Sequence, residues 1–233
     1  MNSANIAARP APELPARKAR VLVVDDHPIV RQGLSLLIDQ QPDLAICGGA
    51  KDLPAALEAI ATLNPDIIIL DISLEGPDGI EVLKNVRLTH PKVPVLILSM
   101  HDESVYAERA LRAGANGYIM KQEATDKVLE AVRRLLRGEI YISSRIASKI
   151  LQQVVGGAPT LGQSPIDALT DRELEVFTLI GRGEGTRQIA EKLRLSVKTI
   201  ESYQAHIKEK LSLRNGHELL QHAVQWANSH SNG

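Results

Sequence analysis

A chain of 233 residues has room for one large or two small domains, and 44% apolar with 24% charged residues fits a globular protein rather than a fibrous or disordered one. Its single cysteine, Cys47, excludes an intramolecular disulfide framework and suits a reducing cytoplasm; within LAIC it reads as a buried small hydrophobe. The net charge of −1 hides an asymmetry: residues 21–142 carry 12 Lys/Arg against 18 Asp/Glu, whereas residues 186–216 carry 7 against 3, a basic stretch of the kind nucleic acid attracts.

Residues 1–19 are rich in Ala, Pro and Arg and lack the apolar core of a secretion signal, so a disordered tail is expected. No apolar run approaches the roughly 20 residues that span a bilayer, and no membrane association is expected. In residues 20–142, short aliphatic runs (RVLVV, LAIC, DIIIL, PVLIL, GYIM) alternate with stretches of helical spacing such as Ile29, Leu34, Leu37 and Ile38. Continuous apolar strands separated by amphipathic helices predict an α/β unit, a five-stranded doubly wound parallel sheet covered on both faces. Residues 143–165 read as a linker, with a short helix in IASKILQQVV before the Gly/Pro-rich GGAPTLGQSP. From 166 to 233 the strands stop. Thr170 and Glu173 form a capping-box pattern for a helix that Gly181, Gly183 and Gly185 end. Further helices are predicted from Thr186 to Leu193, from Val197 to about Leu211, and from Asn215 to about Trp226.

The ends of the predicted strands carry the chemistry. In an open doubly wound sheet, ligands sit beyond the carboxyl ends of the strands, where strand order reverses. The first strand runs into Asp25 and Asp26, and the third into Asp71. With strand order 2-1-3-4-5 these neighbours bring three carboxylates into one crevice. Two unit charges 4 Å apart repel by roughly 4 kcal/mol at an effective dielectric of 20, so such a cluster must protonate or bind a cation. Oxygen ligands in this number favour Mg²⁺. The fourth strand ends at Ser99 and the fifth at Lys121. Asp71 is then a candidate nucleophile, Asp25 and Asp26 candidate metal ligands, and Ser99 and Lys121 candidate partners for phosphoryl oxygens.

The stretches VLVVDDHPIVRQGL, DIIILDISLEGPDGIEVL, VPVLILSMHD and ANGYIMK resemble the receiver domain of two-component response regulators, a flavodoxin-like fold. The resemblance implies that Asp71 accepts a phosphoryl group from a histidine kinase. It implies Mg²⁺ at Asp25, Asp26 and Asp71, completed by the backbone carbonyl of Ser73. It also implies a switch pair, in which Ser99 turns toward the phosphate and Tyr118 rotates inward. Many receivers have Thr where Ser99 stands; the hydroxyl is retained.

In the last part, the helix at Thr186, the break RLS and the helix at Val197 have helix-turn-helix spacing. Ile189, Ala190, Leu193, Ile200, Ile207 and Leu211 fall on the inward side. Lys198, Glu201, Ser202 and Ala205 fall on the exposed face near the start of the recognition helix. Lys198, Thr199, Lys208 and Lys210 can reach phosphates, which gives affinity without sequence information. Glu201 can accept from a cytosine amino group and Ser202 can bond several bases. LTDRELEVFTLI, QIAEKLRLSVKTIESYQAHIKEKL and RNGHELLQHAVQWA resemble the four-helix DNA-binding domain of LuxR/NarL/FixJ regulators. The resemblance implies major-groove binding of double-stranded DNA by the helix from Val197. It implies homodimer contacts by Leu219, Leu220, Ala223 and Val224 in the phosphorylated or DNA-bound form. Thr186 stands where that family often has Asn and can cap its helix, and it joins the DNA-contacting set. Tyr203 stands where His is frequent. His206 is expected to contact the backbone or pack, since no second metal ligand lies at a suitable spacing.

Two other functions fit parts of the chain. An aspartyl phosphatase shares a similar sheet but carries a second Asp two residues after its nucleophile; here that position is Ser73. Neither GxGxxG nor GxxxxGK[ST] occurs, so nucleotide chemistry has no support. A small-molecule-sensing activator would share only the DNA-binding half, and the acidic crevice leaves no obvious apolar ligand pocket. The expected function is therefore that of a non-enzymatic, phosphorylation-controlled DNA-binding response regulator.

Overall fold

A computed structural model describes residues 17–74, 79–100, 103–155, 165–193 and 195–231. The expected tail before Arg17 and the Gly/Pro-rich connector at 156–164 lie outside the described residues, as does Arg194 in the predicted break. Strands β1 (Ala19–Val24), β2 (Leu44–Ala50), β3 (Ile67–Asp71), β4 (Val95–Ser99) and β5 (Gly117–Met120) form one parallel sheet in the order β2-β1-β3-β4-β5. Helices α1 (Pro28–Asp39) and α5 (Ala124–Leu136) cover one face; α2 (Leu53–Leu63), α3 (Gly79–Thr89) and α4 (Glu103–Arg112) cover the other.

Side chains alternate across a strand, so each strand divides its apolar residues between two cores. Val21, Val23, Ile67, Ile69, Leu96 and Leu98 pack with Leu34 and Ile38 of α1 and Val128 and Val132 of α5. Leu22, Val24, Ile68, Leu70, Val95 and Ile97 pack with Ile60, Leu83 and Ala107 on the opposite face. A strand buried on both faces cannot show polar alternation, which explains the unbroken aliphatic runs.

β2 runs three residues past the LAIC run that marks it in the sequence, through Gly48 and Gly49. Its register against β1 shifts between Val21 and Leu22, and a Cβ on Gly48 would lie 2.5 Å from Leu63 Cδ1. An edge strand accommodates such glycines at an irregularity, which on paper looks like its end. Beyond this edge, Asp43 receives two parallel bonds from Arg133 of α5, Nε–Oδ2 at 2.8 Å and Nη2–Oδ1 at 2.9 Å. The guanidinium bond holds the Asp43 carboxyl below its ordinary pKa and raises that of Arg133. A depressed carboxyl contributes stability above its unfolded pKa, about 3.9, and loses it as pH falls through the folded value. Asp43→Asn is therefore expected to cost about 1 kcal/mol at pH 7 in urea denaturation, and progressively less as pH falls below the unfolded carboxyl pKa and through the depressed folded one.

After α5 the chain returns to the sheet edge, where Tyr141 bridges Gly117 and accepts from Tyr118 N–H at 2.9 Å. Helix α6 (Ser144–Val155) then lies against α4, with Ile146 buried and the Ser143 hydroxyl donating to Glu103 at 2.8 Å. The short helix expected in the linker is thus longer and packed on the receiver side.

The C-terminal unit is built from α7 (Asp171–Gly181), α8 (Thr186–Leu193), α9 (Val197–Lys210) and α10 (Gly216–Ser231). Both halves of the capping box form: Glu173 N–H donates to Thr170 Oγ1 at 3.2 Å, and Thr170 N–H donates to the Glu173 carboxylate at 2.8 Å. Gly183, at φ +84°, ends α7 in the left-handed region. At Gly181 a Cβ would stand 2.3 Å from the Ala223 carbonyl oxygen, so α7 and α10 cross at backbone contact. Phe177 and Trp226 fill the remainder, ring centroids 5.9 Å apart.

α8 begins differently from expectation. Thr186 is its first helical residue, and Gly185 holds the cap position, its N–H donating to Gln188 Oε1 at 2.8 Å. The Thr186 hydroxyl instead accepts from Gln204 of α9 at 3.2 Å, which ties the two helices of the motif together.

Candidate functional site

The register of the strands sets the stagger of the site. Val24 pairs with Leu70, so the chain leaves β1 at Asp25 beside Asp71. Asp71 pairs with Leu98, which places Ser99 one residue beyond, and Ser99 pairs with Met120, which places Lys121 one residue beyond again. Four strand ends thereby deliver two acids, a hydroxyl and an amine to one crevice. Asp25, Asp71 and Ser99 are 2%, 1% and 0% exposed, too deep to be ordinary surface groups.

Lys121, at the start of a single 3₁₀ turn, places its Nζ 2.7 Å from Asp25 Oδ2 and 2.7 Å from Asp71 Oδ2. Asp71 Oδ1 accepts from Ser73 N–H at 3.0 Å. Burial pushes the Asp71 carboxyl above its ordinary pKa; Lys121 opposes that push and the neighbouring charge of Asp25 adds to it. Burial works against the Lys121 ammonium, but Asp71 and Asp25 outweigh it and the net displacement is upward. Asp25 is held from two further sides: its Oδ1 accepts from His27 N–H at 2.8 Å and its backbone oxygen from Arg31 at 2.6 Å.

Candidate ligand atoms of Asp25, Asp26, His27 and Asp71 all lie within 4.8 Å of one another. The three carboxylates present oxygen donors to one crevice, and this donor set fits a hard, water-retaining dication such as Mg²⁺. His27 is a member the sequence reading missed. Its Nδ1 lies 2.6 Å from Asp26 Oδ1 and 3.2 Å from Asp25 Oδ1, so the ring orients both acids. The remaining candidate ligand, the Ser73 carbonyl, accepts from Arg172 Nη2 at 3.2 Å.

Tyr118 is 2% exposed and belongs to the same apolar cluster as Tyr106 and Ile146. It faces α4 on the side of the sheet opposite α1 and α5.

On α9, Lys198, Glu201, Ser202, Ala205 and His206 are exposed, whereas Thr199, Tyr203 and Lys208 are half-buried. Ser196 caps the helix, accepting from Thr199 N–H at 3.0 Å. Lys210, expected at a phosphate, is exposed and has its Nζ 2.6 Å from Glu173 Oε2 of α7. One expectation is corrected: Leu219 and Ala223, expected at a dimer contact, are 4% and 0% exposed inside the four-helix unit. Residues i and i+4 share a helix face, and here that face meets α7. Leu220 is exposed and Val224 half-exposed, so they alone of the four face outward.

A buried phosphoacceptor-type crevice joined to a helix-turn-helix unit defines a signalling class in which an acidic receiver governs a DNA-binding domain. Residues 21–133 match the family described as "Response regulator receiver domain", and residues 167–223 match "Bacterial regulatory proteins, luxR family". "Oxygen regulatory protein NreC" of Staphylococcus carnosus (strain TM300) is 34% identical over 210 residues, covering 88% of this chain and 97% of that protein. NreC of Staphylococcus epidermidis (strain ATCC 12228) is 33% identical over 211 residues at the same coverage. Among solved structures, RcsB of Salmonella enterica serovar Typhimurium, "bound to promoter rprA in the presence of phosphomimetic BeF3-", aligns over 89% of this chain and 99% of that one at 26% identity and TM-score 0.55. The chain belongs to the luxR-family response regulators of two-component systems and is a DNA-binding regulator of transcription. Among the described residues, no helix is long and apolar enough to cross a membrane.

Proposed function

We propose that Asp71 receives a phosphoryl group from a histidine kinase and that this chain, acting in the cytoplasm and not as an enzyme, then binds operator DNA as a homodimer. The observation that carries the reading is the Lys121 ammonium set 2.7 Å from both Asp25 and Asp71 in a buried crevice. Asp71 supplies a carboxylate oxygen to phosphorus as the N–P bond of the phosphohistidine breaks, and the departing imidazole takes its proton from solvent. The Ser73 N–H keeps the other carboxylate oxygen in place. Lys121 and the Ser99 hydroxyl meet the oxygens of the transferred group, and Tyr118 follows Ser99. Asp25, Asp26, Asp71 and the Ser73 carbonyl would hold Mg²⁺, which supplies charge neutralisation for the phosphoryl oxygens.

On α9, Lys198 and Thr199 with Lys208 are assigned to phosphates, and Glu201, Ser202 and Ala205 to base edges. Tyr203, His206 and Thr186 are assigned to the same DNA-contacting set, and Leu220 with Val224 to the dimer contact. Genomic footprinting with and without a small phosphodonor tests the assignment. Phosphodonor is expected to increase protection of paired half-sites, about one helical turn apart. Lys198→Ala is expected to weaken all sites alike and to reduce the salt slope by about one, whereas Glu201→Ala is expected to relax preference at one base pair. Unchanged footprints in both variants would reassign the recognition surface.

A further inference from the structure

The first turn of α7 is seated on the receiver. Arg109 of α4 donates to the backbone oxygens of Leu169 at 2.6 Å and Ile166 at 3.3 Å, and its guanidinium lies 3.2 Å from the Asp171 carboxylate. Arg172, one residue further on, reaches the end of β3. Its Nη2 donates to the carbonyl oxygens of Ser73 at 3.2 Å and Leu74 at 3.3 Å, while Nη1 is 2.9 Å from Glu175. Asp26 is among the charges that act on this guanidinium. A cationic group from the DNA-binding unit thus rests on the oxygen assigned as the backbone ligand of the acidic pocket, within the electrostatic reach of one of that pocket's carboxylates.

We propose that Arg172 competes with the divalent cation for the Ser73 carbonyl, so that ion binding in the crevice and seating of α7 on the receiver oppose one another. The proposal rests on the reading of Asp25, Asp26, Asp71 and Ser73 as ion ligands. A dication bonded to that oxygen at about 2.1 Å would stand within roughly 5 Å of the guanidinium. Two cations then compete for one carbonyl, and each weakens the other's hold. Partial burial of the guanidinium limits how far water screens them. The effect reaches the recognition helix because α7 and α9 move as one body: Lys210 of α9 is 2.6 Å from Glu173 of α7, and Ile200 and Ile207 share a core with Leu174 and Phe177. Coupling between two binding events is reciprocal. The factor by which docking weakens the ion is the factor by which the ion loosens docking. Phosphorylation, which depends on the ion, would then begin from a receiver already released in part.

Mn²⁺ is the probe, since carboxylate and carbonyl oxygens accept it in place of Mg²⁺ and its free form is read directly by electron paramagnetic resonance. Titrations use the full chain as wild type, Arg172→Ala, Arg172→Gln, Arg109→Ala and Asp26→Asn, each checked for a native thermal transition. Removal of the Arg172 charge, by either substitution, is expected to tighten Mn²⁺ binding about fivefold or more, the lower end of ordinary coupling factors. Arg109→Ala loosens the same seat without touching Ser73 and is expected to tighten it in the same direction. Equal affinity in wild type and in a folded Arg172 variant overturns the competition. Absence of Mn²⁺ binding by wild type, or binding that Asp26→Asn leaves unchanged, overturns the ion site itself.

Discussion

Asp71→Asn is expected to remove phosphoryl labelling altogether. Incubated with a small phosphodonor and Mg²⁺, wild type should gain one phosphoryl group by intact mass. The variant should remain at background, at least about 10²-fold lower in rate, because an amide oxygen is not a competent nucleophile. Its DNA affinity should stay at the unphosphorylated level whether or not donor is present. The fold should survive. Asp71 is 1% exposed and burial already disfavours its charge, while Lys121 keeps Asp25 as a partner. Thermal stability is therefore expected to match or exceed that of wild type. Labelling that persists in Asp71→Asn would move the phosphoacceptor elsewhere.

Lys121→Ala should act on both stability and chemistry. It leaves the buried carboxylates of Asp25 and Asp71 without the ammonium that now lies 2.7 Å from each. Stripping the cation from a buried ion pair costs about 3–5 kcal/mol. Without it, nothing opposes the burial that already raises the Asp71 carboxyl, which then binds a proton more readily in the folded chain than in the unfolded one. A group with a raised folded pKa contributes stability at low pH and loses it as pH rises through that value. The variant should therefore lose most stability near pH 8 and recover part of it toward pH 5, as read by urea denaturation. Millimolar Mg²⁺ should also restore part of it, by returning positive charge to the crevice. The labelling rate should drop about 10²–10³-fold, the usual effect of removing one preorganised stabiliser of developing charge. A variant as stable as wild type without added dication would show that the two acids do not depend on this lysine.

Much of this could be read from local pattern. The five aliphatic runs specify buried parallel strands because no polar residue interrupts them, and Thr170 with Glu173 announces the start of α7 through one reciprocal pair of bonds. Asp25, Asp71, Ser99 and Lys121 stand out because each follows an apolar run at a strand end. What escaped notice depends on distance along the chain. Arg172 lies 99 residues from Ser73, and no spacing rule joins them; the contact exists only once two units are docked. His27 was hidden for the opposite reason, since it adjoins Asp26 and reads as part of the turn. The error at Leu219 and Ala223 was one of helix face: apolar residues near the end of a chain suit a dimer contact and an internal one equally well. Only the close crossing at Gly181 decides between them. Lys210 shows the same limit for charge, because its partner Glu173 already serves as half of a capping box.

The seating of α6 against α4 shortens what joins the two halves. Between the end of α6 at Val155 and the 3₁₀ turn that begins at Pro165, ahead of α7, the sequence has nine residues. Fully stretched, they reach no more than about 35 Å. A DNA-binding unit that lets go therefore stays within a small volume around its dock, at an effective concentration on the order of millimolar. At that concentration even a feeble contact keeps the unit parked most of the time. If ion and docking compete as proposed, one ion or one phosphoryl group would be enough to tip the balance, and return would be quick once the signal decays.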